Sequence, residues 1–163
     1  MRCQGFLPII NKNAKILILG SMPSEQSLKV NEYYGNRQNR FWQIIFNVFK
    51  KELSVNYAEK IKFLYEHNIA LWDVLATCER QGSLDAAIKN EQSNNFAQLF
   101  TDYKKIQKVC FNGQKAYQAF FKYNKNLLQE KNIAYAVLPS TSPANARYSF
   151  VELLNEWQQA LLQ

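Results

Sequence analysis

The chain has 163 residues, enough for about one domain that buries a sizeable core without disulfides or metals. Lys and Arg total 20 against 13 Asp and Glu, and the resulting formal charge of +7 points to an anionic partner, of which nucleic acid is the commonest large one. No apolar run approaches the roughly 20 residues of a membrane span, MRCQGFLPII lacks a signal-peptide core, and three scattered cysteines (Cys3, Cys78, Cys110) cannot supply four metal ligands; reduced thiols in a cytoplasmic, metal-free and cofactor-free protein are the expectation.

The first apolar run, KILILG (Lys15–Gly20), has the unbroken character of a buried parallel strand. Gly20 and Pro23 then set a tight turn. The turn is neither a G-x-G-x-x-G fingerprint nor a P-loop, so nothing in it supports a dinucleotide or nucleoside triphosphate. The stretch after it gathers Tyr33, Tyr34, Gly35, Asn36, Arg37, Asn39 and Arg40. A planar ring, amides and guanidiniums in one place suit an aromatic heterocycle beside a phosphate. They equally suit a surface loop leading into the next helix.

That helix is expected over Asn39–Lys50, with Phe41, Ile44, Ile45 and Val48 on one face. A second follows at Tyr57–His67. Then come a strand over IALWDVL (Ile69–Leu75), a strand over KVCFNG (Lys108–Gly113) and a helix over Gly113–Tyr123. A last strand lies in IAYAVLP (Ile133–Pro139). The chain ends in an amphipathic helix, Ser149–Leu162, carrying Leu153, Leu154, Trp157 and Leu161 inward. Between the last strand and this helix, LPSTSPANARYS combines prolines, hydroxyls and Arg147, a loop suited to phosphates or to capping the helix. No repeat or linker divides the chain, so one domain over 1–163 is expected. Alternating strands and helices give an α/β class with a parallel sheet. Ligands of such sheets bind outside the carboxyl ends of the strands.

The segments at those ends carry a resemblance. GSMPS with YYGN, NRFWQII, LWDVLATCERQGSLD, FNGQKA and LPSTSPANA, in this order, resemble the uracil-DNA glycosylase superfamily, most of all its hypoxanthine-DNA glycosylase branch. YYGNRQNRFWQII is also similar to the mismatch-specific thymine/uracil enzymes. The resemblance implies a three-layer α/β/α sandwich around a four-stranded parallel sheet. It implies a monomer that flips a deaminated nucleotide out of DNA and hydrolyses its N-glycosidic bond.

Carried over residue by residue, it makes Asn39 the catalytic group, holding water or the leaving base, where the alternative is a helix cap. It places Tyr34 as a stacking ring, where the alternative is core packing. Gly20, Ser21, Met22 and Pro23 form the base pocket. Asp73 is a base reader accepting N1–H of hypoxanthine, or else a strand-end cap. Ser24, Lys115, Ser140, Ser142, Pro143, Ala144, Asn145 and Arg147 are implied DNA contacts. Lys104, Lys105, Lys108, Lys122 and Lys125 read as a solvated basic face, and His67 as structural.

Two departures are informative. Met22 stands where uracil-specific relatives carry an Asp or Asn that handles water, and a thioether cannot do that work. Leu138 stands where others have His or Asn. Hypoxanthine is therefore the favoured base, with uracil second and xanthine open. The rival readings are a uracil or mismatch glycosylase, a damage-binding DNA module without catalysis, and an enzyme acting on free nucleosides.

Overall fold

A computed structural model describes residues 2–163. Its first half contains β1 (Arg2–Gln4), β2 (Ile16–Gly20), α1 (Glu25–Val30), α2 (Phe41–Val48), α3 (Tyr57–Glu66), β3 (Ile69–Asp73) and β4 (Leu75–Glu79). Then follow β5 (Lys89–Ser93), α4 (Phe96–Asp102), β6 (Lys108–Asn112), α5 (Gln114–Asn124), α6 (Leu127–Glu130), β7 (Ala134–Leu138) and α7 (Phe150–Leu162).

The central sheet has four parallel strands in the order β3-β2-β6-β7. Alternation along its strands divides the core. Ile18, Leu71 and Cys110 face α2, α3 and α7, in a cluster built on Phe41, Phe63, Leu64 and Trp157. Leu17, Leu19, Val109 and Phe111 face α4, α5 and α6, against Phe96, Phe120 and Leu128. A sheet covered on both faces needs apolar residues at consecutive positions, which is why its strands read as unbroken runs. This is the expected three-layer arrangement. Each fully buried Phe or Leu contributes about 1.5–3 kcal/mol relative to exposure.

The helix ends follow their local chemistry. Ser149 caps α7 through a reciprocal capping box with Glu152, an arrangement whose loss costs about 1 kcal/mol. Asn56 and Asn95 cap α3 and α4 through their side-chain oxygens.

One expectation is corrected. IALWDVL is not one strand. The run breaks at Val74, whose N–H donates to Gly20 O at 2.8 Å, and the chain turns into β4. β4 leaves the parallel sheet and sits centrally in a small antiparallel sheet, β1-β4-β5. The loop from β4 to β5 is thereby carried to the carboxyl ends of the parallel strands.

Candidate active site

Gly20, Asp73, Asn112 and Leu138, the last residues of β2, β3, β6 and β7, all border one cleft of about 530 Å³. The turn after β2, the segment before α2, the β4–β5 loop and the loop after β7 supply the rest of its walls.

Asn112 organises the middle. Its Oδ1 accepts the Thr141 N–H at 3.0 Å, and its Nδ2 donates to Thr141 Oγ1 at 3.0 Å and to Tyr34 Oη at 3.2 Å. Thr141 is fully buried, so these bonds fix the loop after β7 from below. Tyr34 has a left-handed backbone (φ 54°), and its ring stacks on Phe41 at 3.9 Å and 19°. Burial first, and the nearby Asp73 second, push the Tyr34 hydroxyl well above its ordinary range. It stays a neutral donor at any working pH.

Asn39 lies on the cleft wall immediately before α2. Its Oδ1 accepts the Phe41 N–H at 2.9 Å. That bond fixes the amide plane and leaves Nδ2 without a hydrogen-bond partner among the described residues. The N-cap position of α2 is Arg40, whose side chain does not cap; Asn39, one residue earlier, takes the first N–H of the helix, and that bond is compatible with a site role. Arg40 turns away from phosphate work. Its guanidinium donates to Tyr148 O at 2.8 Å and to Asn145 O at 3.0 Å, clamping the loop after β7. Trp157 Nε1 reaches Pro139 O at 3.0 Å and holds the start of the same loop.

The opposite wall is stiff for a different reason. A Cβ at Gly20 would lie 2.6 Å from Asp73 Oδ1 and 3.2 Å from Tyr34 Oη, so only glycine lets these groups close in. Met22 is nearly buried in the core on the α4–α5 side and presents an apolar surface. The β4–β5 loop is tied to this wall at three points. Buried Arg80 donates to Pro23 O, Ser83 Oγ accepts the Glu25 N–H at 2.8 Å, and Ser21 Oγ donates to Asp85 Oδ1 at 2.6 Å. Between two of the anchors stands Leu84, 61% exposed at the cleft.

The structure thus gathers Gly20, Ser21, Met22, Pro23, Ser24, Tyr34, Asn39 and Asp73 on one cleft, with Ser140, Ser142, Ala144, Asn145 and Arg147 on the loop beside them. Ser24 is engaged in capping α1, where it accepts the Ser27 N–H. Pro143 belongs to the same loop but is not on the cleft lining. Lys115 also lies off the lining and pairs with Glu91 of β5 at 2.9 Å. His67 is packed between Phe49 and Phe63, with Nδ1 at 2.9 Å from Phe63 O, away from the cleft. Sequence reasoning missed Asn112, Thr141, Leu84 and Asp85. Asn112 carried a usable signal, a polar residue closing a buried strand.

The family model described as the uracil DNA glycosylase superfamily matches residues 7–162. The chain belongs to that superfamily. Two of its similar relatives are each named hypoxanthine DNA glycosylase. The one from Methanosarcina acetivorans is 38% identical over 90% of both chains, and the one from Methanosarcina barkeri is 34% identical over 98% of both. A solution NMR structure of a candidate uracil DNA glycosylase from Methanosarcina acetivorans superposes with a TM-score of 0.85 at 36% identity, covering 99% of this chain and 97% of that one. The superfamily fold is the one described above, with its four-stranded parallel sheet between helices. No helix of the described residues is long and apolar enough to cross a membrane.

Proposed function

We propose that the chain is a monofunctional DNA glycosylase. It takes a deaminated nucleotide, deoxyinosine by preference, out of the duplex and hydrolyses its N-glycosidic bond to leave an abasic site. The observation that carries this reading is the convergence of Asn39, Tyr34 and Asp73 on one cleft at the strand ends, with Asn39 fixed by the Phe41 N–H, Tyr34 by Asn112, and Asp73 admitted by Gly20. The similarity to two proteins named hypoxanthine DNA glycosylase supports the choice of base.

A base inside the stack is out of reach, so it must be extruded, at a cost of a few kcal/mol that is smaller at a mismatched or damaged pair. The Tyr34 ring then offers a stacking surface worth about 1–3 kcal/mol. Asn39 is not a base at neutral pH; its free Nδ2 donates to the attacking water or to the leaving base. Met22 adds an apolar wall and no water chemistry. Ser140, Ser142, Ala144, Asn145 and Arg147 border the path of the backbone, with Ser24 and Pro143 next to them. Lys115 joins them only by giving up Glu91. Leu84 is the exposed apolar side chain placed to fill the gap left in the stack. No lysine is among the described residues lining the cleft, so the reaction stops at base release without a lyase step.

The test is release of free base from a duplex with one deoxyinosine, beside duplexes with uracil and with normal bases only. Hypoxanthine release, with undamaged DNA intact, supports the reading. Release of uracil alone moves the chain to another branch of the superfamily. DNA binding without release of any base leaves a damage-binding module.

A further inference from the structure

Asp73 is a buried carboxyl with an unused atom. The residue is 5% exposed and lines the cleft, and its Oδ2 has no hydrogen-bond partner among the described residues. An unpaired carboxylate is costly to bury and relieves that cost by taking up a proton.

The groups facing it relieve the cost only in part. From the β4–β5 loop, the Asp85 carboxylate opposes a second negative charge, held in place by Ser21 Oγ at 2.6 Å. From the same loop, Arg80 favours the ionised form, but its Nη2 is committed to Pro23 O and it forms no ion pair with Asp73. From the segment before α2 come the neutral hydroxyls of Tyr33 and Tyr34. Burial is the largest influence, Asp85 the second and Arg80 a partial offset; together they raise the carboxyl to about 7. Near neutrality a large share of Asp73 is a neutral acid.

We propose that neutral Asp73 is the proton donor to the departing deaminated purine. This rests on the glycosylase reading above. As the C1′–N9 bond breaks, its electron pair passes into the base. The carboxyl O–H bond of Asp73 breaks and its proton goes to N7 of the base, leaving Asp73 as carboxylate. Water bonds to C1′ and releases its proton to solvent. Asp73 is reprotonated from solvent before the next turnover. The proton removes the charge that would otherwise build up on a leaving base beside Asp85. A purine carries basic ring nitrogens able to take a proton while the glycosidic bond is intact; uracil has none. The acid therefore favours purines.

The experiment is single-turnover release of hypoxanthine across pH, for wild type, Asp73→Asn and Asp85→Asn, with folding followed by thermal melting. Wild-type release should fall about tenfold per pH unit on the alkaline side of an inflection close to neutrality. Asp73→Asn should be slower by on the order of 100-fold below that inflection and lose the fall altogether. Asp85→Asn, which removes the opposing charge, should move the inflection to lower pH. A wild-type rate that is flat or rises with pH overturns the proposal and leaves the glycosylase standing. So does an Asp73→Asn profile with the wild-type fall, or an Asp85→Asn inflection that stays in place. No base release at any pH, by contrast, removes the glycosylase reading itself.

Discussion

Asn112 and Tyr34 meet across the cleft, with Asn112 Nδ2 donating to Tyr34 Oη at 3.2 Å. One residue ends a core strand and the other belongs to the segment before α2, so this bond couples the sheet to the stacking ring. Asn112→Ala should cut base release by on the order of 10- to 100-fold through misplacement of Tyr34 and the loop after β7. It should also cost about 2–3 kcal/mol, because the buried Thr141 loses its partners for both N–H and hydroxyl. Single-turnover rates and chemical denaturation measure the two effects separately. Unchanged rates would mean that Tyr34 needs no such support.

Asp73 links the site to stability. Its folded value of about 7 lies above the ordinary carboxylate value of 3.8, so the folded chain holds this proton more tightly than the unfolded chain. The stabilisation is complete below the ordinary value and is lost as pH rises to about 7. A shift of this size corresponds to at most about 4 kcal/mol. Asp73→Asn should therefore lower activity yet gain stability relative to wild type at alkaline pH, with the gain shrinking toward acid pH. Melting temperatures of both proteins across pH check the sign. A gap that widens toward acid would contradict the buried, neutral carboxyl.

Leu84 stands exposed between loop anchors at Ser83 and Asp85. If it fills the vacated stack, Leu84→Ala should slow excision from paired duplex by about tenfold, and slow it much less from single-stranded DNA, where there is no stack to fill. Stability should stay within about 0.5 kcal/mol, since the side chain is at the surface. Equal losses on both substrates would assign Leu84 to base binding instead.

The parts of this molecule that were legible in its sequence are those where burial imposes a pattern. The four parallel strands are covered on both faces and read as apolar runs, and α7 announces itself by its inward stripe and its Ser149 cap. The antiparallel sheet left no such mark. β5 is the polar segment Lys89–Ser93, and β4 follows β3 with only Val74 between them, so one apolar run concealed two strands in different sheets. That hid the β4–β5 loop, and with it Leu84, Asp85 and the role of Arg80. It also hid the fate of Lys115, whose partner Glu91 lies on β5. Asn39, Tyr34 and Asp73 were readable because the resemblance named them and the strand-end rule pointed to the same place. Asn112 obeyed that rule equally well, but its role depends on Thr141 and Tyr34, contacts 29 and 78 residues away that a single sequence does not display.

The central claim is that Asn39 serves chemistry and not only the start of α2. Asn39→Ala removes one bond to the Phe41 N–H, a loss of about 1 kcal/mol that leaves the fold intact. The decisive measurement is hypoxanthine release from a deoxyinosine duplex by wild type and Asn39→Ala under single-turnover conditions, with DNA affinity measured on the same samples. The account predicts release by wild type, a loss of on the order of 100-fold or more in the variant, and DNA affinity largely retained. Release by Asn39→Ala at the wild-type rate would contradict it.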